Sequence, residues 1–91
     1  MNEKLISYVL AGKNRRNVLN LISQGAMTPS QILKKAKYTY LTHIIRTLKD
    51  LNKMELIECV NPEAKSYKFY KITKKGKSIN EAVQKYLKEY N

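Results

Sequence analysis

Thr42, His43, Arg46 and Asp50 recur at intervals that place them on neighbouring parts of one helix surface. A hydroxyl, an imidazole and a guanidinium side by side make a set of donors, and the guanidinium can engage two acceptors at once when they lie in one plane. Asp50 is the acceptor-only member. It fits this set if it pairs with Arg46, four residues earlier, or takes a donor from the ligand. Such a group binds and does not turn over. His43 is the sole histidine and Cys59 the sole cysteine, so a CxxC-type zinc site is excluded and metal ligation would need carboxylates or a second subunit. Paired carboxylates, a nucleophile with its base and a phosphate-cradling loop are all missing, and Gly12, Gly25 and Gly76 are scattered. The expectation is a non-enzyme without metal or cofactor.

Net charge indicates the ligand class. The 91 residues carry 18 Lys plus Arg against 7 Asp plus Glu, a formal charge of +11, while 43% are apolar. That apolar share can fill the core of one small domain, so the charge belongs on a folded surface. A surface this one-sided suits a polyanion; solubility or heat adaptation would more commonly balance the two signs. No apolar run approaches the about 18 residues of a spanning helix, and the first residues lack the apolar centre and cleavage site of a signal peptide. A cytoplasmic, nucleoid-associated protein is expected.

The elements that must hold these residues follow from periodicity. Residues 5–10 and 15–23 have helical spacing on either side of Gly12 and Asn14, although one continuous helix is also compatible with a single glycine. Thr28, Pro29 and Gln31 have the order of an N-cap, a first helical residue and a capping box, opening a short helix with Ile32, Leu33 and Ala36 on its apolar side. The next helix is expected from Thr39 or Tyr40 to about Lys53. Leu41, Ile44, Ile45, Leu48 and Leu51 form its apolar stripe, with Thr39, Thr42, His43, Arg46, Asp50 and Lys53 opposite. Residues 56–60 and 67–72 are β-branched and aromatic around a turn-forming stretch, which predicts a hairpin with a basic tip. Cys59 is expected to pack in it as a small hydrophobe. Thr73 should cap a last helix.

This order, helices followed by a hairpin and a final helix, is that of a winged helix-turn-helix, mainly α with a small β-hairpin (α+β). The stretches NRRNVLNLIS, MTPSQI, THIIRTLKDLNKMELIECVNP and KFYKITKKGK resemble the first core helix, second-helix entry, recognition helix and wing of small archaeal and bacterial winged-helix regulators of the ArsR-like and MarR-like groups. The resemblance covers roughly residues 14–77. It implies a DNA-binding fold and regulation of transcription; the expected division is a DNA-binding domain over residues 1–75 and a C-terminal helix, residues 76–91, for dimerisation.

Side-chain chemistry supports double-stranded DNA independently. Arg46 can pair bidentately with guanine, Thr42 and His43 can bond base edges or phosphate, and Tyr38, Thr39, Tyr40 and Lys53 can reach the backbone. Lys65, Ser66 and Lys68 at the hairpin tip suit the minor groove, while Lys34, Lys35, Lys37, Arg15 and Arg16 suit phosphates. Arg46 as an ordinary solvated side chain and Thr39 as a mere cap are the plain alternatives. Ile79, Val83, Tyr86, Leu87 and Tyr90 share one face of the last helix and predict a homodimer, or else docking on the same subunit. No small-molecule effector or membrane contact is evident. Two other functions stay open: a protein-interaction module of a transcription or replication complex, suggested by Tyr38, Tyr40 and Tyr67, and a non-specific chromatin-like DNA binder.

Overall fold

The computed structural model describes residues 2–37 and 39–90, so the expectation for Tyr38 lies outside the described residues. The elements run α1 (Glu3–Ala11), α2 (Lys13–Ile22), α3 (Pro29–Lys35), α4 (Leu41–Lys53), β1 (Ile57–Cys59), β2 (Tyr70–Ile72) and α5 (Lys74–Tyr90). At Gly12 the backbone is extended, with φ −107° and ψ 112°, which breaks the N-terminal region into two helices. Two arginines hold that corner. Arg15 Nε donates to the Tyr8 carbonyl at 2.7 Å and Arg16 Nη1 to the Leu10 carbonyl at 2.7 Å. The Arg15 guanidinium also lies 3.9 Å from the Tyr8 ring centroid. Cations placed on the last carbonyls of α1 satisfy acceptors that the helix cannot and complement its dipole. Both arginines are therefore engaged within the subunit.

The α3 entrance is built as its residues dictate. Gln31 N donates to Thr28 Oγ1 at 3.2 Å and Thr28 N to Gln31 Oε1 at 2.9 Å, completing the capping box ahead of Pro29. Tyr40, not Thr39, is the N-cap of α4, and no side chain caps that helix. The Thr39 hydroxyl is buried without a hydrogen-bond partner among the described residues.

At its other end α4 stops with Glu55 at φ 62°. Glu55 N bonds the Asn52 carbonyl and Leu56 N the Leu51 carbonyl, both at 3.0 Å, the two-bond reversal that satisfies the last carbonyls of a helix. Glycine is the usual occupant of that left-handed position, so the sequence carried no signal for it. The reversal delivers the chain straight into β1.

β1 and β2 pair antiparallel, with Ile57 opposite Ile72, Glu58 opposite Lys71 and Cys59 opposite Tyr70. The strands are shorter than residues 56–60 and 67–72. Tyr67 sits at φ 55°, outside the strand region, and the Asn61 side chain replaces part of the ladder. Its Oδ1 accepts from Phe69 N at 2.8 Å and its Nδ2 donates to the Tyr67 carbonyl at 3.0 Å. Met27 and Tyr70 exchange backbone bonds of 3.0 and 2.9 Å, which adds a one-residue third strand between α2 and α3.

The core is drawn from every element: Val9 of α1, Val18, Leu19 and Ile22 of α2, Ile32 of α3, Ile44, Leu48 and Leu51 of α4, Leu56 and Ile57 of the hairpin, Ile79 and Val83 of α5. Ile79 and Val83 are thus committed to their own subunit, because α1 covers the face of α5 that periodicity alone left unpartnered. The division at residue 75 falls inside α5. Thr73 Oγ1 accepts from Gly76 N at 2.9 Å as the N-cap of that helix and donates to the Glu55 carbonyl at 2.7 Å. Asn80 Nδ2 reaches Asn20 Oδ1 at 3.3 Å, tying α5 to α2. Among the described residues no helix is long and apolar enough to cross a membrane.

Two stability outcomes are expected. A Cβ on Gly76 would collide with the Leu56 carbonyl and the Ile72 side chain. Gly76→Ala should therefore lower the free energy of unfolding in urea by about 1–3 kcal/mol, as overpacking does. Asn61→Ala should accelerate amide exchange at Phe69 about fivefold, the worth of one net hydrogen bond, while Leu48 and Leu51 in α4 keep their protection.

Candidate nucleic-acid interface

α4 is the element whose two faces have opposite jobs. Ile44, Thr47, Leu48 and Leu51 are buried. At about 100° per residue the opposite direction is occupied, within about 30°, by Thr42, Arg46, Lys49 and Lys53. All four are exposed. Lys49 stands near the middle of this face and did not figure among the expected contacts. Its spacing three residues from Arg46 was the available signal.

The two flanks of the face differ in chemistry. On one side His43, Arg46, Thr47 and Asp50 form a cleft with residues 12–15 at the start of α2, including Lys13. Tyr40 packs edge-on against His43, ring centroids 5.6 Å apart and planes at 85°. Asp50 is half-buried there. Among the described residues the sole ion pair is Lys71 with Glu58, at 3.4 Å and exposed, so Arg46 keeps its guanidinium unpaired within the subunit. On the other side Leu41 and Ile45 border a groove whose far wall is Lys65, Ser66, Tyr67 and Lys68 of the hairpin tip. These two aliphatic residues were expected in the apolar stripe, yet each is 40% exposed, and Thr47 takes the buried place instead. The reason is geometric: Thr47 lies within about 50° of the buried centre of the stripe, whereas Ile45 is displaced by about 110°.

The hairpin brings its cations to the same side as α4. Lys65, Ser66 and Tyr67 are exposed and Lys68 half-buried. Tyr70, at the base, is part of the core's outer layer. Burial, with a smaller contribution from nearby Cys59, raises its phenol above the ordinary tyrosine value, so it stays protonated and neutral at physiological pH. Cys59 is half-buried in β1, its thiol 3.9 Å from Asn61 Oδ1. Lys65, Ser66 and Lys68 line one groove with Leu41 and Ile45 of α4, while Thr42, Arg46 and Lys53 are exposed on the outward face of the same helix. The Thr39 hydroxyl is turned inward. Among the described residues there is no cluster of three or more His, Cys, Asp or Glu able to hold a metal ion.

At the far end of α5, Tyr86 and Tyr90 are exposed and stacked, ring centroids 4.7 Å apart, while Leu87 packs against the core. The face expected for assembly is accordingly divided, with Ile79 and Val83 inside and the two tyrosines outside.

Comparison with known proteins agrees with this architecture. A transcriptional regulator of the MarR family from Enterococcus faecalis superposes with a TM-score of 0.76 over 92% of this chain and 77% of its own, at 17% identity. A mutant MarR from E. coli, solved in complex with operator DNA, gives a TM-score of 0.68 at 25% identity, covering 91% of this chain and 63% of the longer one. An ArsR-family transcriptional regulator gives 0.67 at 23% identity, covering 94% and 91%. No curated protein sequence matches the chain. Residues 12–76, from the corner between α1 and α2 to the start of α5, match the family model of the winged helix DNA-binding domain. The chain therefore belongs to the winged helix DNA-binding domain family and has the fold of the MarR and ArsR transcriptional regulators.

Proposed function

We propose that this protein is a sequence-specific, double-stranded DNA-binding regulator of transcription that places α4 in the major groove and the hairpin tip against the flanking backbone or minor groove. The observation that carries this reading is the outward face of α4, where Thr42, Arg46, Lys49 and Lys53 are all exposed and Arg46 has no intramolecular ion pair among the described residues. A helix carrying such a face fits the width of the major groove, with a guanidinium free to pair bidentately with guanine. Lys49, Lys53, Lys65 and Lys68 supply the phosphate contacts that hold register, and the net charge of +11 supplies the long-range attraction. Operator binding by the structurally similar E. coli protein supports the same use of the fold.

The active unit is a homodimer joined through the C-terminal half of α5. Tyr86 and Tyr90, together with the edge of Leu87, form its contact, since Ile79 and Val83 are already covered. Two copies would set their α4 helices about 34 Å apart and favour a palindromic site. Exposed Tyr40 and Tyr67 favour one rival, docking on a larger protein assembly, because tyrosine is a common interface anchor.

Affinity for duplex should fall with salt, the log-log slope being about −0.9 per phosphate contact; a flat curve, with a stoichiometric protein partner, would favour the rival instead. On duplexes selected from random sequence, Arg46→Ala should cost about 1–3 kcal/mol and relax preference at one position, whereas Lys49→Ala and Lys65→Ala should weaken all sequences alike. In sedimentation, the Tyr86→Glu/Tyr90→Glu double variant should run as a monomer with unchanged circular dichroism. A parent chain that is itself monomeric on DNA would rule the dimer out.

A further inference from the structure

Leu41 and Ile45 are large aliphatic side chains, one helical turn apart, each 40% exposed beside the outward face of α4. They line a groove together with Lys65, Ser66, Lys68 and the exposed ring of Tyr67. Leu41, Ile45 and Tyr67 lie exposed together beside cations, and an apolar patch with a polar rim has the composition of an interaction site. Lys65 and Lys68 in this groove, on a chain of net charge +11, favour a polyanion as its occupant. Within a DNA duplex the apolar group displayed in the major groove is the methyl of thymine. That methyl lies on the groove edge nearest its own strand, so a strand whose phosphates meet Lys65, Ser66 and Lys68 turns its thymine methyls toward the facing wall of the groove.

We infer, resting on the DNA-binding reading above, that Leu41 and Ile45 are specificity-determining residues that recognise thymine through its methyl group, beside the hydrogen-bonding contact of Arg46. Four helical residues rise about 6 Å, close to two base steps of about 3.4 Å, so the two side chains address thymines two steps apart on one strand. Sequence preference then has two sources on α4. Arg46 supplies polar pairing on one side of the outward direction, and the aliphatic pair supplies methyl contact on the other.

The test removes the methyl and nothing else. A duplex enriched from a random pool by the full chain is resynthesised with uracil replacing each thymine in turn. Binding should weaken about threefold to fourfold at one or two positions, the value of one buried methyl group. Ile45→Ala should weaken binding to the thymine duplex by a similar factor and abolish the effect of uracil at its position, with Leu41→Ala doing so two steps away on the same strand. Ile45→Val, which keeps an aliphatic surface, should retain uracil sensitivity, and circular dichroism of all three variants should match the parent. Equal binding of every uracil duplex would overturn the inference, as would uracil effects that persist undiminished in both alanine variants, or a pool that enriches no thymine. In those cases salt-dependent duplex binding and its dependence on Arg46 would survive. Absence of any duplex binding would instead bring down the DNA reading and this inference together.

Discussion

The pair of backbone hydrogen bonds between Met27 and Tyr70 is the constraint on which the rest of the molecule depends. Met27 immediately precedes the capping box that starts α3, and Tyr70 begins β2. Joining them makes the base of the hairpin continuous with the entrance to the helix-turn-helix. An isolated two-stranded hairpin is marginally stable in water, and here it is anchored through a third strand one residue long. The hairpin tip and α4 consequently share one frame, and the groove between them has a defined width. Without that pair the hairpin would be held only by its own ladder, the Asn61 bonds and the packing of Ile57 and Ile72.

α4 must satisfy two demands along a single helix of 13 residues. Its inner face fills the centre of the core with Ile44, Leu48 and Leu51, and its outer face is left exposed. The helix has no side-chain N-cap and ends on a non-glycine residue in the left-handed region. Both features are unfavourable locally, the second by about 1–2 kcal/mol. Packing of the inner stripe offsets them, which is the usual source of helix stability in proteins. The orientation of the outer face is therefore set by the core and not by local propensity.

That division explains what was legible in the sequence. Thr28, Pro29 and Gln31 announce α3 because their chemistry is local, and the winged order of elements follows from changes in period that need no tertiary information. The break at Gly12 was open in the sequence, since only tertiary packing of Tyr8 against Arg15 decides it. The turn at Glu55 and the one-residue strand at Met27 leave no residue-type signature. The burial of Ile79 and Val83 within their own subunit was not legible because the covering helix, α1, is distant in sequence. The outer face of α4 was mostly legible, Lys49 and the exposure of Leu41 and Ile45 being the exceptions. Those three depend on the exact angle at which the helix seats, a property of the packed core.

The Thr73 hydroxyl, shared between the Glu55 carbonyl and the Gly76 amide, makes one atom the junction of three elements: the end of α4, the return strand and the start of α5. With Asn80 holding Asn20 a turn further along, α5 is clamped at two points to the body that carries α4. Its first half is thereby fixed in orientation, and the rest of the helix continues along the same axis. A pair of molecules joined through its distal end would inherit a set angle and reach, so the distance between their two α4 helices would be written into the fold. Such a pair would respond to a mis-spaced target by losing one contact, because it has no slack with which to stretch toward it.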